Sequence, residues 1–332
     1  MKSQYEKKRL ITFDRIKIKS NYKYLLDTKV KFNEMFHSRS GEKIGIFYSS
    51  KDDINIPYNL YIAVSYIKQT LTLEFSSKIL KENYPDLISR DTIKKCLTNI
   101  NQLNICNIDV DSILSNGVVT SVDITYDADL ILNDNLLDAL NSQVNNYRRF
   151  KWTHYNNEGI TFTKDVKSKD CTETITLYNK EKEICTSHNK NFLNSLSQPQ
   201  QIMDYFKGKT RFEITLDTPK KIMNYLNLTD TKIFSVLNSD TNPILILFDK
   251  IFNNSVTNIS NATFDNYEEW SMKIILDSYN GDLKRLEQDV RNKFSSRSGA
   301  TKRMKKFEAV HHAMTSASTN ENLIEKVRNL LL

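Results

Sequence analysis

Thr120-Ser121-Val122-Asp123-Ile124-Thr125-Tyr126-Asp127 alternates apolar and polar residues, and its reading decides the fold. Successive side chains of an extended strand leave opposite faces of a sheet. Val122, Ile124 and Tyr126 therefore share one face, while Asp123, Thr125 and Asp127 share the other. Three further stretches repeat the arrangement. Arg211-Phe-Glu-Ile-Thr-Leu216 opposes Phe212, Ile214 and Leu216 to Arg211, Glu213 and Thr215. Thr70-Leu-Thr-Leu-Glu-Phe75 turns Leu71, Leu73 and Phe75 inward and Glu74 outward. Thr172-Glu-Thr-Ile-Thr-Leu-Tyr178 turns Ile175 and Leu177 inward and sends Thr174, Thr176 and Tyr178 outward. If these strands pair in one sheet, at least three acids and a tyrosine share its polar side. A single carboxylate on a strand is ordinary solvated sheet; its repetition is the signal.

Outward from these strands the chain reads as mixed. Residues 10–20 largely alternate and form an opening strand with a basic face of Arg15, Lys17 and Lys19. Residues 59–75 read as a hairpin or consecutive strands. Residues 89–105 and Asn133–Tyr147 carry apolar spacings of three and four, and so read as amphipathic helices. Asn116-Gly117 makes a turn into the Asp123 strand. Strands are expected at about 159–165 and 172–178, with a helical stretch from Asn179 and a loop at Ser195–Gln201. Past Pro219 the segments 220–226, 233–237, 244–252 and 267–279 all read as helices. The expectation is an α+β protein: a domain over 1–218, built on an antiparallel sheet with a polar face as candidate for catalysis, and a helical, basic domain over 219–332.

Composition narrows the chemistry. The 332 residues are 39% hydrophobic and 26% charged, and no apolar run reaches the roughly 20 residues of a membrane span. Residues 1–9 hold no signal-peptide core, so the expected location is the cytoplasm. A net charge of +7 favours phosphate-bearing partners, although a Lys-rich composition alone gives the same sign. Cys96, Cys106, Cys171 and Cys185 have no CxxC spacing, which argues against a zinc site or a disulfide framework. Only 7 glycines occur and none build a phosphate loop, which excludes P-loop and dinucleotide proteins.

Convergent carboxylates suit Mg²⁺ or Mn²⁺, hard cations that take oxygen ligands and can stabilise charge on a leaving oxygen. A tyrosine beside them can attack phosphorus and form a phosphotyrosine intermediate. Tyr178 is the candidate, because it ends a strand on the polar face and Asn179-Lys180-Glu181-Lys182-Glu183 follows it. Lys180 could hold the scissile phosphate or lower the phenol pKa, and Glu183 could ligate a metal or accept a proton.

Val122-Asp-Ile-Thr125, Leu177-Tyr-Asn-Lys-Glu-Lys-Glu-Ile184 and Thr210-Arg-Phe-Glu-Ile-Thr-Leu216 follow one another in an order that resembles the rolling-circle replication initiators. The likeness is to the filamentous-phage gene II-type replication proteins, and the Rep_trans plasmid initiators are similar in motif order. That family carries an Ile-Asp-x-Thr strand, a Tyr-x-Lys-x-x-Glu-Leu segment with the nucleophile, and an Arg-Phe-Glu strand. Leu73-Glu-Phe-Ser-Ser-Lys-Ile-Leu80 resembles its upstream strand ending in Ser-x-Lys-x-Leu. The likeness covers roughly residues 10–218. It implies a Rep nickase-like core in which Tyr178 is the nicking tyrosine, Lys180 and Glu183 its downstream partners, and Arg211 the arginine before an acidic strand position. Asp123 and Glu213 are the implied metal acids, with Glu183 and Glu74 as further ligands. Ser121 stands where the family has an arginine. No His-hydrophobe-His pair exists among His37, His154, His188, His311 and His312, so a metal site must be built from carboxylates.

Arg148, Arg149 and Trp152, and the cluster Lys302, Arg303, Lys305 and Lys306, are candidate DNA contacts, with Trp152 able to stack on an unpaired base. The resulting expectation is a phage or plasmid initiator that nicks origin DNA through Tyr178 with Mg²⁺ or Mn²⁺, hands a 3′-OH to a host polymerase alongside a host helicase, and rejoins the strand. A mobilisation relaxase, a non-catalytic origin-binding protein and a primase-like polymerase are the rival readings. The oligomeric state is not legible.

Overall fold

The protein is seen in a computed structural model that describes residues 11–144, 152–156, 159–167, 172–252, 266–294 and 296–332. Strands β1 (Phe13–Asn21), β2 (Leu25–Thr28), β3 (Asn33–Phe36), β4 (Lys43–Ser49), β5 (Leu60–Ser65) and β6 (Thr70–Ser76) come first. A 3-10 segment, Ser77–Asp86, leads to α1 (Ile93–Gln102), β7 (Cys106–Ile108), α2 (Val110–Asn116), β8 (Val118–Ala128) and α3 (Asp134–Ser142). Next are β9 (Trp152–Asn156), β10 (Gly159–Lys164) and β11 (Thr174–Asn179), then α4 (Lys180–Ile184), α5 (Ser187–Asn194), α6 (Pro199–Phe206) and β12 (Thr210–Leu216). Helices α7 (Pro219–Leu226), α8 (Ile233–Leu237), α9 (Pro243–Phe252), α10 (Tyr267–Ser278), α11 (Leu283–Lys293) and α12 (Arg297–Leu331) complete the chain.

Ten strands form one antiparallel sheet in the order β3-β4-β5-β6-β1-β8-β12-β11-β10-β9, and β2 pairs with β7 apart from it. With the helices around it, this is an α+β architecture. The four strands that opened the sequence reading, with β1 inserted among them, lie side by side at its centre. Register confirms the alternation. Ile16 faces Phe75 and Val122, Ile214 faces Ile124 and Ile175, and Leu177 faces Phe212 and Ile160. All of these apolar residues are at most 3% exposed, so each side chain contributes about 1.5–3 kcal/mol of burial.

Two compact units divide the chain. The first takes the described parts of residues 1–133 and 146–251, with Leu331; the second takes those of 134–145 and 252–330, with Leu332. The first unit therefore runs beyond the boundary expected near residue 218. Helix α7 explains this: Thr218 caps its N-terminus, Pro219 pre-sets the first turn, and Asn227 ends it in a left-handed conformation with φ 52°. Its buried Ile222 and Leu226, and Ile233, Val236 and Leu237 of α8, complete the apolar core of this unit. In the second unit, Met272, Leu276, Leu286, Val290, Ala300, Met304, Phe307 and Val310 form a separate core. Among the described residues no helix is long and apolar enough to cross a membrane.

Candidate functional site

The polar face is assembled by register. Arg15 faces Asp123, which in turn faces Thr215; Glu213 lies between Thr125 and Thr176; Arg211 lies between Asp127 and Tyr178. Tyr178 in turn faces Gly159, where an added Cβ would fall 2.8 Å from the Tyr178 Cβ. Only a residue without a side chain lets β10 and β11 meet here.

Local sequence fixes the junction after Tyr178. Asn179 caps α4 by accepting from the Lys182 N–H at 3.0 Å, and Lys180 N donates to Lys209 O at 3.0 Å. The strand thus passes straight into a helical turn, which places Lys180 and Glu183 on one side at i,i+3. Lys180 Nζ donates to Glu183 Oε2 at 2.5 Å, and Asn189 Nδ2 donates to Glu183 Oε1 at 2.9 Å. Lys78 Nζ donates to Asn189 Oδ1 at 2.6 Å.

Arg211 is 0% exposed. Its Nε and Nη2 donate to the two oxygens of Asp127 at 2.6 and 2.8 Å, and its Nη1 lies 3.0 Å from Tyr84 Oη and 3.1 Å from Asp14 Oδ1. The guanidinium also lies over the rings of Tyr84 and Phe206 at about 5.5 Å. Lys180, 1% exposed, sits 5.4 to 5.6 Å from the rings of Tyr84, Phe206 and Tyr178. Both cations are therefore covered rather than offered to solvent. The polar face, read from sequence as open, is roofed here by the 3-10 segment and α6.

Tyr178 Oη donates to Glu213 Oε2 at 3.2 Å. Burial, followed by the negative charges of Asp14 and Asp123, pushes the Glu213 carboxyl up to about 7, against Arg211 and Lys180. Burial also raises the Tyr178 phenol well above the usual tyrosine range; Arg211 opposes this, while Glu213, Asp14 and Glu183 add to it. Burial, seconded by Arg211, lowers Lys180 to about 8, with Glu183 and Asp14 pulling the other way. Burial would raise Asp14, but Arg211, Lys180, Ser77 and Lys78 bring it down to about 2. A phenol is thus hydrogen-bonded to a carboxyl whose protonation changes near neutrality, above a floor of internal ion pairs. Such a pair can pass a proton from oxygen to oxygen.

The expected metal acids are divided among cations. Arg15 holds Asp123 with Nε at 2.6 Å and Nη2 at 2.9 Å, and Glu74 with Nη1 at 2.8 Å. Lys17 Nζ takes the other Glu74 oxygen at 3.0 Å. Glu183 belongs to Lys180 and Asn189, and Glu213 to Tyr178. Among the described residues no three His, Cys, Asp or Glu side chains are grouped to hold a metal ion. As they stand, Asp123, Glu213, Glu183 and Glu74 do not fit a shared divalent ion, because the oxygens of three of them are spent on Arg15, Lys17 and Lys180.

Asp14, Arg15, Asp127, Tyr84, Lys78 and Asn189 complete the network; the sequence placed Asp127 and Arg15 on polar strand faces and Lys78 in the Ser-x-Lys-x-Leu stretch but gave none of the six a role in the site. Of the expected DNA contacts, Lys302, Lys305 and Lys306 are exposed and Arg303 partly so, all on α12. Trp152 opens β9, and Arg148 and Arg149 lie outside the described residues. Cys96 and Cys106 are buried free thiols and Cys185 an exposed one.

The site is therefore a tyrosine–carboxyl pair on a sheet face, embedded in buried charge. Residues 87–235, a little under half of the chain, match the family model for the N-terminal region of the replication-associated protein of filamentous-phage gene II type. That stretch contains Asp123, Tyr178, Lys180, Glu183, Arg211 and Glu213, whereas Asp14, Arg15 and Glu74 precede it. No curated protein and no solved structure matches the chain. The family match supports a replication initiator.

Proposed function

We propose that the chain starts replication of a phage or plasmid genome by nicking origin DNA with Tyr178. The observation that carries this reading is the 3.2 Å hydrogen bond from Tyr178 Oη to Glu213. Glu213, deprotonated above about pH 7, takes the phenol proton. The phenolate attacks a phosphodiester, the P–O3′ bond breaks, and the leaving O3′ takes the proton that Glu213 has received, so a 3′-OH strand departs while the 5′ phosphate stays on Tyr178. Attack by that 3′-OH reverses the step and rejoins the strand. Lys180 and Arg211, sealed beneath, position Tyr178 instead of touching phosphate, and Arg211 opposes the rise of its pKa. Lys302, Arg303, Lys305 and Lys306 contact the DNA backbone, with origin DNA as the partner and a host helicase and polymerase extending the product. A requirement for Mg²⁺ or Mn²⁺ is a separate proposal, judged by chelation: such an ion would have to displace Arg15, Lys17 or Lys180 from Asp123, Glu74 or Glu183.

The test is incubation of the protein with single-stranded or supercoiled origin DNA, with and without divalent metal. A covalent protein–DNA adduct should form and vanish in Tyr178→Phe. An adduct that persists in the variant would move the nucleophile elsewhere; its absence on every origin substrate would favour an origin-binding protein without catalysis.

A further inference from the structure

Helix α10 presents large hydrophobic residues to solvent. Tyr267 is 80% exposed, Trp270 50% and Ile274 48%, and they recur at i, i+3 and i+7 along one stripe. The Tyr267 and Trp270 rings stand 5.6 Å apart at 40° to each other. Beside them opens a cleft of about 660 Å³, lined by Tyr267, Ile275, Tyr279, Phe294 and Phe307. Lys293 and Arg303 also line it. The core of this unit lies on other positions of the same helix, Met272 and Leu276, so the stripe is not needed to hold α10 in place.

The lining itself is balanced, Glu268 and Asp289 against Lys293 and Arg303, and the excess of positive charge lies along the flanking helices α11 and α12. From Lys284 to Lys306 nine Lys and Arg residues stand against Glu287 and Asp289, a net of +7 that equals the excess of the whole chain. Glu268, next to Tyr267, accepts from Arg303 at 3.0 Å and from Lys306 at 2.9 Å, which leaves that group of three net positive. Exposed aromatic rings beside concentrated positive charge suit a ligand that is flat and apolar on its faces and anionic along its edge. Unpaired nucleotides have this chemistry: bases stack on the rings, and phosphates follow the cations. Duplex DNA fits less well, because its bases are already stacked on one another.

We infer that Tyr267 and Trp270, with the cleft beside them, form a stacking platform for single-stranded nucleic acid, separate from the Tyr178 site. The inference rests on the reading that the chain acts on DNA. The platform would hold the unpaired strand that nicking exposes.

The test uses the full-length chain and a labelled oligothymidylate, with binding read by fluorescence anisotropy. The double variant Tyr267→Ala/Trp270→Ala should bind about 10- to 100-fold more weakly, as expected for loss of base stacking. Trp270→Phe, which keeps a ring, should retain most of the affinity, and binding to a fully paired duplex should change little. The double variant removes exposed rings only and is expected to keep the melting temperature of the parent chain. Unchanged oligothymidylate affinity in the double variant would overturn the inference. So would an equal loss for single strand and duplex, or competition by a polyglutamate peptide as strong as that by unlabelled oligothymidylate, which would mean that the surface reads charge alone. The adduct assay at Tyr178 is run in parallel. It reports on nicking only, so failure of the platform and failure of the nicking reading appear in different measurements.

Discussion

Tyr178 and Glu213 lie on neighbouring antiparallel strands, two residues out of direct register, and share a hydrogen bond of 3.2 Å between Oη and Oε2. The offset is what permits the contact. Arg211 is the direct neighbour of Tyr178, and Glu213 stands one step further along the same face.

Glu213 sets a pH dependence with opposite signs for activity and stability. As a base it must be deprotonated, so adduct formation should rise as pH passes through about 7 and be largely lost in Glu213→Gln. Its pKa in the folded state lies above the unfolded value of 4.5, so its contribution to stability is complete below 4.5 and lost as pH rises through 7. Glu213→Gln should therefore gain on the order of 2 kcal/mol over the parent at pH 8 and little at pH 4. Chemical denaturation at the two pH values checks this; a variant less stable at pH 8 would contradict it.

Arg211 should tolerate no replacement. Arg211→Ala leaves Asp127 and Asp14 beside a buried gap, a loss of about 3–5 kcal/mol. Arg211→Lys keeps the charge but not the two-pronged geometry that Asp127 receives, and should recover only part of that. Urea denaturation of the three proteins tests the order.

Gly159→Ala places a methyl group 2.6 Å from Leu177 O and 2.8 Å from Tyr178 Cβ. The strands must separate, at a cost of about 1–3 kcal/mol, and Tyr178 must shift. Adduct yield should fall more steeply than melting temperature, as measured on one preparation.

Glu173 governs the acid limb of stability. Burial would raise its carboxyl, but the Tyr225 hydroxyl, Lys250 at 2.9 Å and Lys164 at 3.0 Å bring it down to about 2. A lowered folded pKa gives stability that is present above the unfolded value of 4.5 and lost as pH falls toward 2. Glu173→Gln should cost about 2–3 kcal/mol at pH 7 and flatten the decline between pH 5 and pH 2 in melting curves.

Period-two alternation made the centre of the sheet legible, since Asp123, Tyr178 and Glu213 sit on strands where Val122, Ile124, Ile175, Leu177, Phe212 and Ile214 are buried. The first four helices after Pro219 were equally plain, because three- and four-residue spacings mark their faces, whereas α11 and α12 lay in a stretch legible only as basic. What escaped were elements without that signal. Strand β3 (Asn33–Phe36) is mostly exposed and hardly alternates, and β9 follows a basic, aromatic stretch. Asp14 was hidden for a sharper reason. The register of β1 shifts between Phe13 and Arg15, and this bulge turns Asp14 toward the polar face together with Arg15. Strict alternation assigns the two to opposite faces. Tyr84, Lys78 and Asn189 come from the 3-10 segment and α5, and their approach to Arg211 and Glu183 depends on tertiary packing that no local spacing encodes.

Enclosing Arg211 and Lys180 has one more effect. Dissolved ions at physiological strength damp electric fields over about 8 Å of water, but they cannot enter a space filled by Tyr84, Phe192 and Phe206. The field at the Tyr178 oxygen is thus insulated from the salt that weakens every contact between an exposed lysine and a phosphate. On the proposed reading, raising ionic strength would release the nucleic acid while leaving Tyr178 tuned as before, so capture and chemistry would answer to different surroundings.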